Sequence, residues 1–157
     1  MKELTRFKFF MWYFSHFKVP MIGYLKPSLL LVNDQEIVLK IKLSRRSKNH
    51  LNSMYFGALA VGADLAGGLH GFYHAKRAQV KISLAFKSFQ AQFLRRPESD
   101  VYFICRDGEH VKTMIIDSTM SGQRINKPLN VIAYTNYPQK PEEIARFTLE
   151  LSLKVLI

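Results

Sequence analysis

The fold is decided by one apolar stretch in the middle of the chain, which reads Gly57-Ala58-Leu59-Ala60-Val61-Gly62-Ala63-Asp64-Leu65-Ala66-Gly67-Gly68-Leu69. Asp64 is the only acidic residue between Glu36 and Glu98, whereas Lys and Arg occur eleven times over the same interval. An acid among small apolar side chains must be hydrogen-bonded, face a cavity or have a raised pKa, because burying an unpaired charge is costly. Asp64 is therefore the first candidate for a functional residue.

The same stretch predicts a long helix that runs from about Met54 to His74, with Asn52-Ser53 as its N-cap. The helix is apolar nearly all round until Lys76, so we expect other structure to surround it. Very small side chains recur along it at steps of three or four residues, at Gly57, Ala60, Asp64, Gly67 or Gly68, and Gly71. Close approach of a sheet is the preferred explanation, and access for a thin ligand is the alternative.

Alternating apolar and polar residues, and short apolar runs, predict strands before and after this helix in the sequence. The strands are expected at 36–44, 80–94, 101–106, 128–135 and 144–155, with a short helix at 109–121 that ends at Gly122. The layout is one strand, a long buried helix and four antiparallel strands. It indicates an α+β domain in which a sheet covers a helix.

Length and composition fit one globular domain over residues 1–157, because 48% hydrophobic and 22% charged residues exclude a disordered chain. The single cysteine, Cys105, excludes an internal disulfide and a Cys-rich metal site. It follows the apolar run 101–104, which predicts a buried thiol. These features indicate a reducing compartment, and we expect the cytoplasm.

The formal charge of +11 favours an anionic partner, which includes nucleic acids, membrane surfaces and phosphate-bearing molecules. No strand interleaves basic and aromatic residues as a nucleic-acid reader does, so we expect no nucleic acid. Several cations lie near the ends of predicted elements, namely Lys76, Arg77, Lys81, Arg95 and Arg96. They could meet the phosphates of coenzyme A or of a carrier protein, and ordinary solvated charge explains them equally well.

Residues 1–27 form an aromatic N-terminal extension, in which Phe7, Phe10, Phe14 and Phe17 recur at steps of three and four. This spacing predicts an amphipathic helix that covers one end of a sheet or a partner subunit. A helix on a membrane surface is the alternative, while the apolar stretch is too short and interrupted to span a bilayer.

The residues around the helix start resemble a known motif. Asn49, Asn52, Tyr55-Phe56-Gly57 and Asp64 stand, without a gap, where small acyl-CoA thioesterases of the hotdog superfamily (the phenylacetyl-CoA type) have Asn, Gly, His-Gly-Gly and Asp. Phe93-Leu94-Arg95-Arg96-Pro97 is similar to the Phe-Leu-Arg-Pro strand end of the same group. The resemblance covers about residues 36–155 and implies the hotdog fold, a curled antiparallel sheet around one long helix. The extension and the helix at 109–121 resemble an uncharacterised thioesterase-like branch.

The resemblance implies hydrolysis of an acyl thioester, carried by acyl-CoA or acyl carrier protein. In the family, backbone N–H groups at the Gly polarise the thioester carbonyl, and the Asp of the facing subunit is nucleophile or general base. Carried over, the catalytic candidates are Asp64, Gly57 and Asn49. The substrate-binding candidates are His50, Asn52, Tyr55, Phe56, Arg95 and Arg96.

The resemblance also implies a homodimer or a dimer of dimers and needs no cofactor. No metal is expected, because the i, i+4 pair His70 and His74 has no third ligand nearby. Two departures affect the activity: Tyr55-Phe56 replaces His-Gly, which narrows the pocket, and Asn52 replaces the Gly of the turn. A non-catalytic hotdog protein that binds acyl-CoA or lipid is therefore the alternative function.

Overall fold

The computed structural model describes residues 2–156; Met1, the first residue of the predicted extension and domain, and Ile157, the last residue of the domain, lie outside them. Six strands form one sheet that packs on a long central helix. The helices are α1 (Lys2–Tyr13), α2 (Pro20–Leu25), α3 (Phe56–Arg77) and α4 (Gly108–Ser121). The strands are β1 (Ser28–Val32), β2 (Ile37–Ile41), β3 (Lys81–Phe93), β4 (Val101–Cys105), β5 (Ile125–Thr135) and β6 (Glu142–Leu156).

The strand order is β1-β2-β4-β5-β6-β3, and every neighbouring pair is antiparallel. The predicted α+β arrangement, a curled antiparallel sheet with a long central helix, is confirmed. The predicted number of five strands is wrong, because β1 adds a sixth. This strand is a short apolar run after Pro27 without alternation, and only its pairing with β2 reveals it.

The centre of the core lies between α3 and the sheet, and glycines allow the close approach. A Cβ at Gly62 would overlap the ring of Phe103 on β4, and one at Gly71 would overlap Leu84 on β3. The packing explanation of the small residues is therefore correct at Gly71, and Gly62, which lies outside the predicted stripe, packs as closely. Gly67 differs, since a Cβ there would meet Phe86 at an ordinary 3.5 Å.

The start of α3 differs from the prediction. Tyr55, in an extended conformation, is the N-cap, and no side chain caps the helix. The expected cap residue Ser53 instead donates its hydroxyl to Asn49 Oδ1 at 3.2 Å. Asn52 takes a left-handed conformation with φ of 58°. The predicted Asn52-Ser53 cap is wrong because these residues belong to a turn held by Asn49.

The N-terminal segment is helical through residue 18, where α1 continues as a π-helical turn over Phe14–Lys18. Phe7 is 3% exposed and packs against Tyr73 of α3, and Phe10 and Phe14 pack on Phe72. Phe17, the fourth member of the predicted stripe, is instead 65% exposed, because the wider π turn changes the angular spacing after Phe14. None of the helices within residues 2–156 has the length and apolar character needed to cross a bilayer.

Candidate functional site

One face of α3 is open along the first half of the helix. Gly57, Ala60, Val61 and Asp64 are partly exposed, at steps of three and four residues, whereas residues 65–71 are all buried. The predicted catalytic residues Gly57 and Asp64 therefore lie on the same accessible stripe. The stripe is lined by small side chains, so a ligand or a partner chain can come close to the helix backbone.

The helix start presents two unpaired donors. The N–H groups of Ala58 and Leu59 both donate to the carbonyl of Tyr55, at 2.9 and 3.2 Å. Within residues 2–156 no acceptor receives the N–H of Phe56 or of Gly57. Free N–H groups and the positive end of the helix dipole meet at this point and can polarise a carbonyl or hold an oxyanion.

Asp64 has no hydrogen-bond or ion-pair partner within the described part of the chain. Burial raises the pKa of its carboxyl above the usual value for Asp. Seven residues separate Gly57 from Asp64, which puts them about 10 Å apart along the helix axis at 1.5 Å per residue. The two residues lie on the same side of the helix, about two turns apart.

The loop before α3 is ordered by Asn49. Its Oδ1 accepts hydrogen bonds from the N–H of Leu51 at 2.8 Å and from the N–H and hydroxyl of Ser53, each at 3.2 Å. Asn49 therefore shapes the turn that leads into the helix, while its catalytic role stays a prediction. His50 is exposed on the same turn, and Asn52 accepts a hydrogen bond from Lys48 Nζ at 3.0 Å.

The strand end with Arg95 and Arg96 is tied to the helix start, because the N–H of Met54 donates to the carbonyl of Pro97 at 2.9 Å. Arg95 lies 4.0 Å from Glu142, and Arg96 lies 3.0 Å from Glu98. Both arginines are largely exposed on the surface. The structure thus brings Arg95 and Arg96 to the same end of the domain as the helix start. A phosphate that bound them there would compete with Glu142 and Glu98.

An exposed aromatic cluster surrounds the helix start. The rings of Tyr55 and Phe56 lie 4.8 Å apart, and Phe93 at the end of β3 lies 6.4 Å from Phe56. The Tyr55 ring lies directly over Gly57, in the space that a Cβ would occupy. Phe93 was not predicted as a site residue, although its place in the Phe-Leu-Arg segment was a signal that could have identified it.

The fold is shared with solved structures. No family model and no curated protein matches the sequence. A candidate thioesterase from Shewanella oneidensis matches with a TM-score of 0.78 and 15% identity, covering 98% of this chain and 99% of that one. Zebrafish thioesterase superfamily member 2 matches with a TM-score of 0.67 and 13% identity, covering 98% of each chain.

The chain has the hotdog fold. A Chlorobaculum tepidum protein of unknown function has it too, with a TM-score of 0.80, 13% identity and coverage of 96% and 93%. The thioesterases among these neighbours confirm the resemblance to thioesterase-like hotdog proteins. At these low sequence identities, the matches show a shared fold only.

The hotdog sheet has one long open edge. β3 pairs with β6 on one side and has no strand on the other within residues 2–156. Most residues from Ala85 to Phe93 are exposed, and Phe89 is among them. Because Phe93 contacts Phe56, this open edge lies beside the open helix start.

The second half of α3 carries two buried histidines. His70 lies with Nε2 3.1 Å from the carbonyl of Cys105, and burial lowers its pKa to about 4. Burial also raises the pKa of the Cys105 thiol to about 12, which agrees with the predicted buried thiol. Within residues 2–156 no three of His, Cys, Asp and Glu lie close enough together to hold a metal ion.

Proposed function

We propose that the protein hydrolyses an acyl thioester, with acyl-CoA as the first candidate substrate and an acyl carrier protein thioester as the second. One observation carries this proposal: an unpartnered, partly exposed carboxylate lies on the same helix stripe as Gly57, at a helix start where two N–H groups have no acceptor within residues 2–156. Burial raises the pKa of the Asp64 carboxyl, which makes its carboxylate a stronger base. The N–H groups of Phe56 and Gly57 form the donor pair.

The working unit that we propose is a homodimer, or a dimer of dimers, with the site shared between subunits. A 13-residue edge strand with exposed apolar side chains favours pairing with a second copy. The distance of about 10 Å between Gly57 and Asp64 along one helix also favours a site that combines groups from two chains. The donor pair of one subunit would then face Asp64 of the other.

The reaction needs one proton acceptor and one oxyanion site. As a general base, Asp64 takes a proton from water, and the water oxygen bonds to the thioester carbon. The carbonyl oxygen becomes an oxyanion, held by the N–H groups of Phe56 and Gly57. The C–S bond then breaks, and the proton on Asp64 passes to the thiolate. As a nucleophile, Asp64 instead bonds to the carbonyl carbon, the C–S bond breaks and the thiolate leaves. Water then hydrolyses the resulting anhydride, which releases the free acid and restores the Asp64 carboxylate.

The alternative is a hotdog protein that binds acyl-CoA or lipid without cleaving it. The observation that favours it is the Tyr55 ring over Gly57, which narrows the approach to the donor pair. Tyr55 is half exposed, so a rotation of its ring away from Gly57 would reopen this approach.

A panel of acyl-CoAs of different chain lengths, assayed for thiol release, tests the proposal. We expect turnover with at least one substrate. Binding of a non-hydrolysable acyl-CoA analogue without turnover of any acyl-CoA or carrier-protein thioester would support the binding protein instead.

A complementation experiment tests the shared site. Asp64→Asn removes the base, and Gly57→Val blocks the donor pair, so each homodimer should be nearly inactive. A refolded equimolar mixture should regain about a quarter of the wild-type activity, because half the dimers are mixed and each then has one intact site of two. An inactive mixture that native mass spectrometry shows to contain mixed dimers would contradict the shared site. So would a monodisperse monomer.

A further inference from the structure

The N-terminal helical segment has an outward face that nothing in residues 2–156 covers. We define the outer aromatic face as Phe9, Trp12, Tyr13, Phe17, Met21 and Tyr24. These side chains are between 44 and 69% exposed. The rings of Phe9, Trp12, Tyr13 and Phe17 form a connected patch, since Phe17 lies 6.0 Å from Trp12 and 5.3 Å from Tyr13, and Phe9 lies 5.9 Å from Trp12.

The segment cannot bury this face by turning over. Its other side holds Phe7, Met11 and Ile22 in the core of the domain. The expected role as a cover therefore belongs to the inner side and leaves the outer side without a function in packing. A contiguous exposed apolar face of this kind marks an interaction surface.

The charge around the outer aromatic face is positive. Arg6, Lys8, Lys18 and Lys26 are exposed, and no carboxylate of residues 2–156 lies within 4.0 Å of any of them. Glu3 is the only acid between residues 2 and 27, and it is paired with Arg77 at 3.2 Å.

The positive charge continues beyond the segment and into a groove. A depression of 310 Å³ is lined by four cations and no acid, the cations being Lys26, Lys42, Arg45 and Arg46. Beside it, a groove of 520 Å³ between α1 and β1 has apolar walls that include Met11, Trp12 and Leu29, together with Lys8 and Lys26. Apolar walls with lysines suit an acyl chain attached to an anionic headgroup.

We propose that the outer aromatic face docks on the surface of an anionic lipid bilayer. Trp and Tyr side chains favour the boundary between headgroups and acyl chains, and flanking lysines and arginines are attracted to anionic lipids. A second copy fits poorly, because it would bring the same cations together. A nucleic acid would leave the aliphatic side chains of Val19 and Met21 without a partner, since bases bind by stacking on aromatic rings.

Trp12 gives a direct readout, because it is the only tryptophan in the sequence. The full-length protein is mixed with phosphatidylcholine vesicles that contain about 30% phosphatidylserine or none. With anionic vesicles we expect co-sedimentation, a blue shift of Trp12 emission and protection from iodide quenching. Vesicles without phosphatidylserine should give none of these, and high salt should weaken binding at least fivefold.

Matched variants assign the binding to this face. Phe9→Ser/Phe17→Ser keeps Trp12 and should lower vesicle affinity at least tenfold, because two exposed apolar side chains no longer insert. The control Ile116→Ser/Met120→Ser removes exposed apolar side chains from α4 and should bind as wild type. Lys8→Gln/Lys26→Gln should weaken binding about fivefold per lysine, and Lys112→Gln/Lys140→Gln should not.

The proposal does not rest on thioester hydrolysis, and the wild-type protein alone can overturn it. Failure to sediment with anionic vesicles at millimolar lipid would do so, as would sedimentation without a change in Trp12 emission. Wild-type affinity in a folded Phe9→Ser/Phe17→Ser variant would also contradict it. A Trp12 response to single-stranded oligonucleotides but not to vesicles would replace the lipid with a nucleic acid.

Discussion

Glycine and alanine recur in both halves of α3, but the two halves have opposite surroundings. Residues 65–71 are all buried, and α1 covers this half through contacts of its phenylalanines with Phe72 and Tyr73. In the first half, Gly57, Ala60, Val61 and Asp64 stay partly exposed beside an open sheet edge.

The polar residues of the two halves differ in the same way. Tyr73 in the second half donates a hydrogen bond to Asp34 at 2.8 Å, and this bond and the nearby Arg77 lower the pKa of the Asp34 carboxyl. Asp64 in the first half has no partner in residues 2–156, and burial raises its pKa. Substitutions at the exposed positions of the first half should therefore change activity, and those at buried positions should change stability.

The largest expected effect is on turnover in Asp64→Asn. Removal of a general base or nucleophile should lower the rate of thiol release by about 10² to 10⁴ with the best acyl-CoA, while the fold is kept. The matched control is Asp34→Asn, which removes a carboxylate that has partners and should keep turnover within about twofold. Equal rates in wild type and Asp64→Asn would contradict the catalytic assignment.

The next largest effect is on stability, at the N-terminal segment that covers the second half of α3. Phe7→Ala should destabilise the protein by about 3–5 kcal/mol, because it removes a buried ring that packs on Tyr73. Phe17→Ala, at an exposed position of the same segment, should change stability by less than about 0.5 kcal/mol. Deletion of residues 1–25 should lower the melting temperature more than Phe7→Ala does. Thermal melts of the three variants check this, and an unchanged melting temperature after the deletion would show that the segment is not a cover.

The sequence predicted the hotdog arrangement because residues 36–44 and 144–155 alternate as strands do, and α3 is a long run of small and apolar residues. It missed β1, which is five residues long and does not alternate, so that only its partner β2 makes it a strand. The helix cap was misplaced because Asn49 binds the N–H and hydroxyl of Ser53 in a local turn, which competes with the capping of α3 by Ser53. Asp64 could be found from composition alone, whereas the obstruction of Gly57 by Tyr55 required coordinates.

A pair of glycines tests the packing along α3 itself. Gly62→Ala should destabilise by about 1–3 kcal/mol, because its Cβ would overlap the fully buried ring of Phe103. Gly67→Ala should instead stabilise by about 0.5–1 kcal/mol, because its Cβ meets Phe86 at 3.5 Å and Ala is the better helix former. Chemical denaturation of both variants measures the difference. If both substitutions changed the free energy of unfolding in the same direction, the space beside each glycine would not be what controls stability.

The smallest expected effect is the stability of Asp64→Asn as a function of pH. The pKa of Asp64 is higher in the folded protein than in the unfolded chain, so the folded state binds the proton more tightly, and stability falls as pH rises between the two values. This loss is complete above the folded pKa and absent below the unfolded value, which is about 3.9 for Asp. Asp64→Asn should therefore melt slightly above wild type at neutral pH, and the advantage should shrink on acidification. Asp34→Asn should show the opposite sign at neutral pH, because the pKa of Asp34 is lowered by folding. An Asp64→Asn protein that melts below wild type at neutral pH would mean that the carboxylate has a stabilising partner, which the proposed dimer would have to supply from its second subunit.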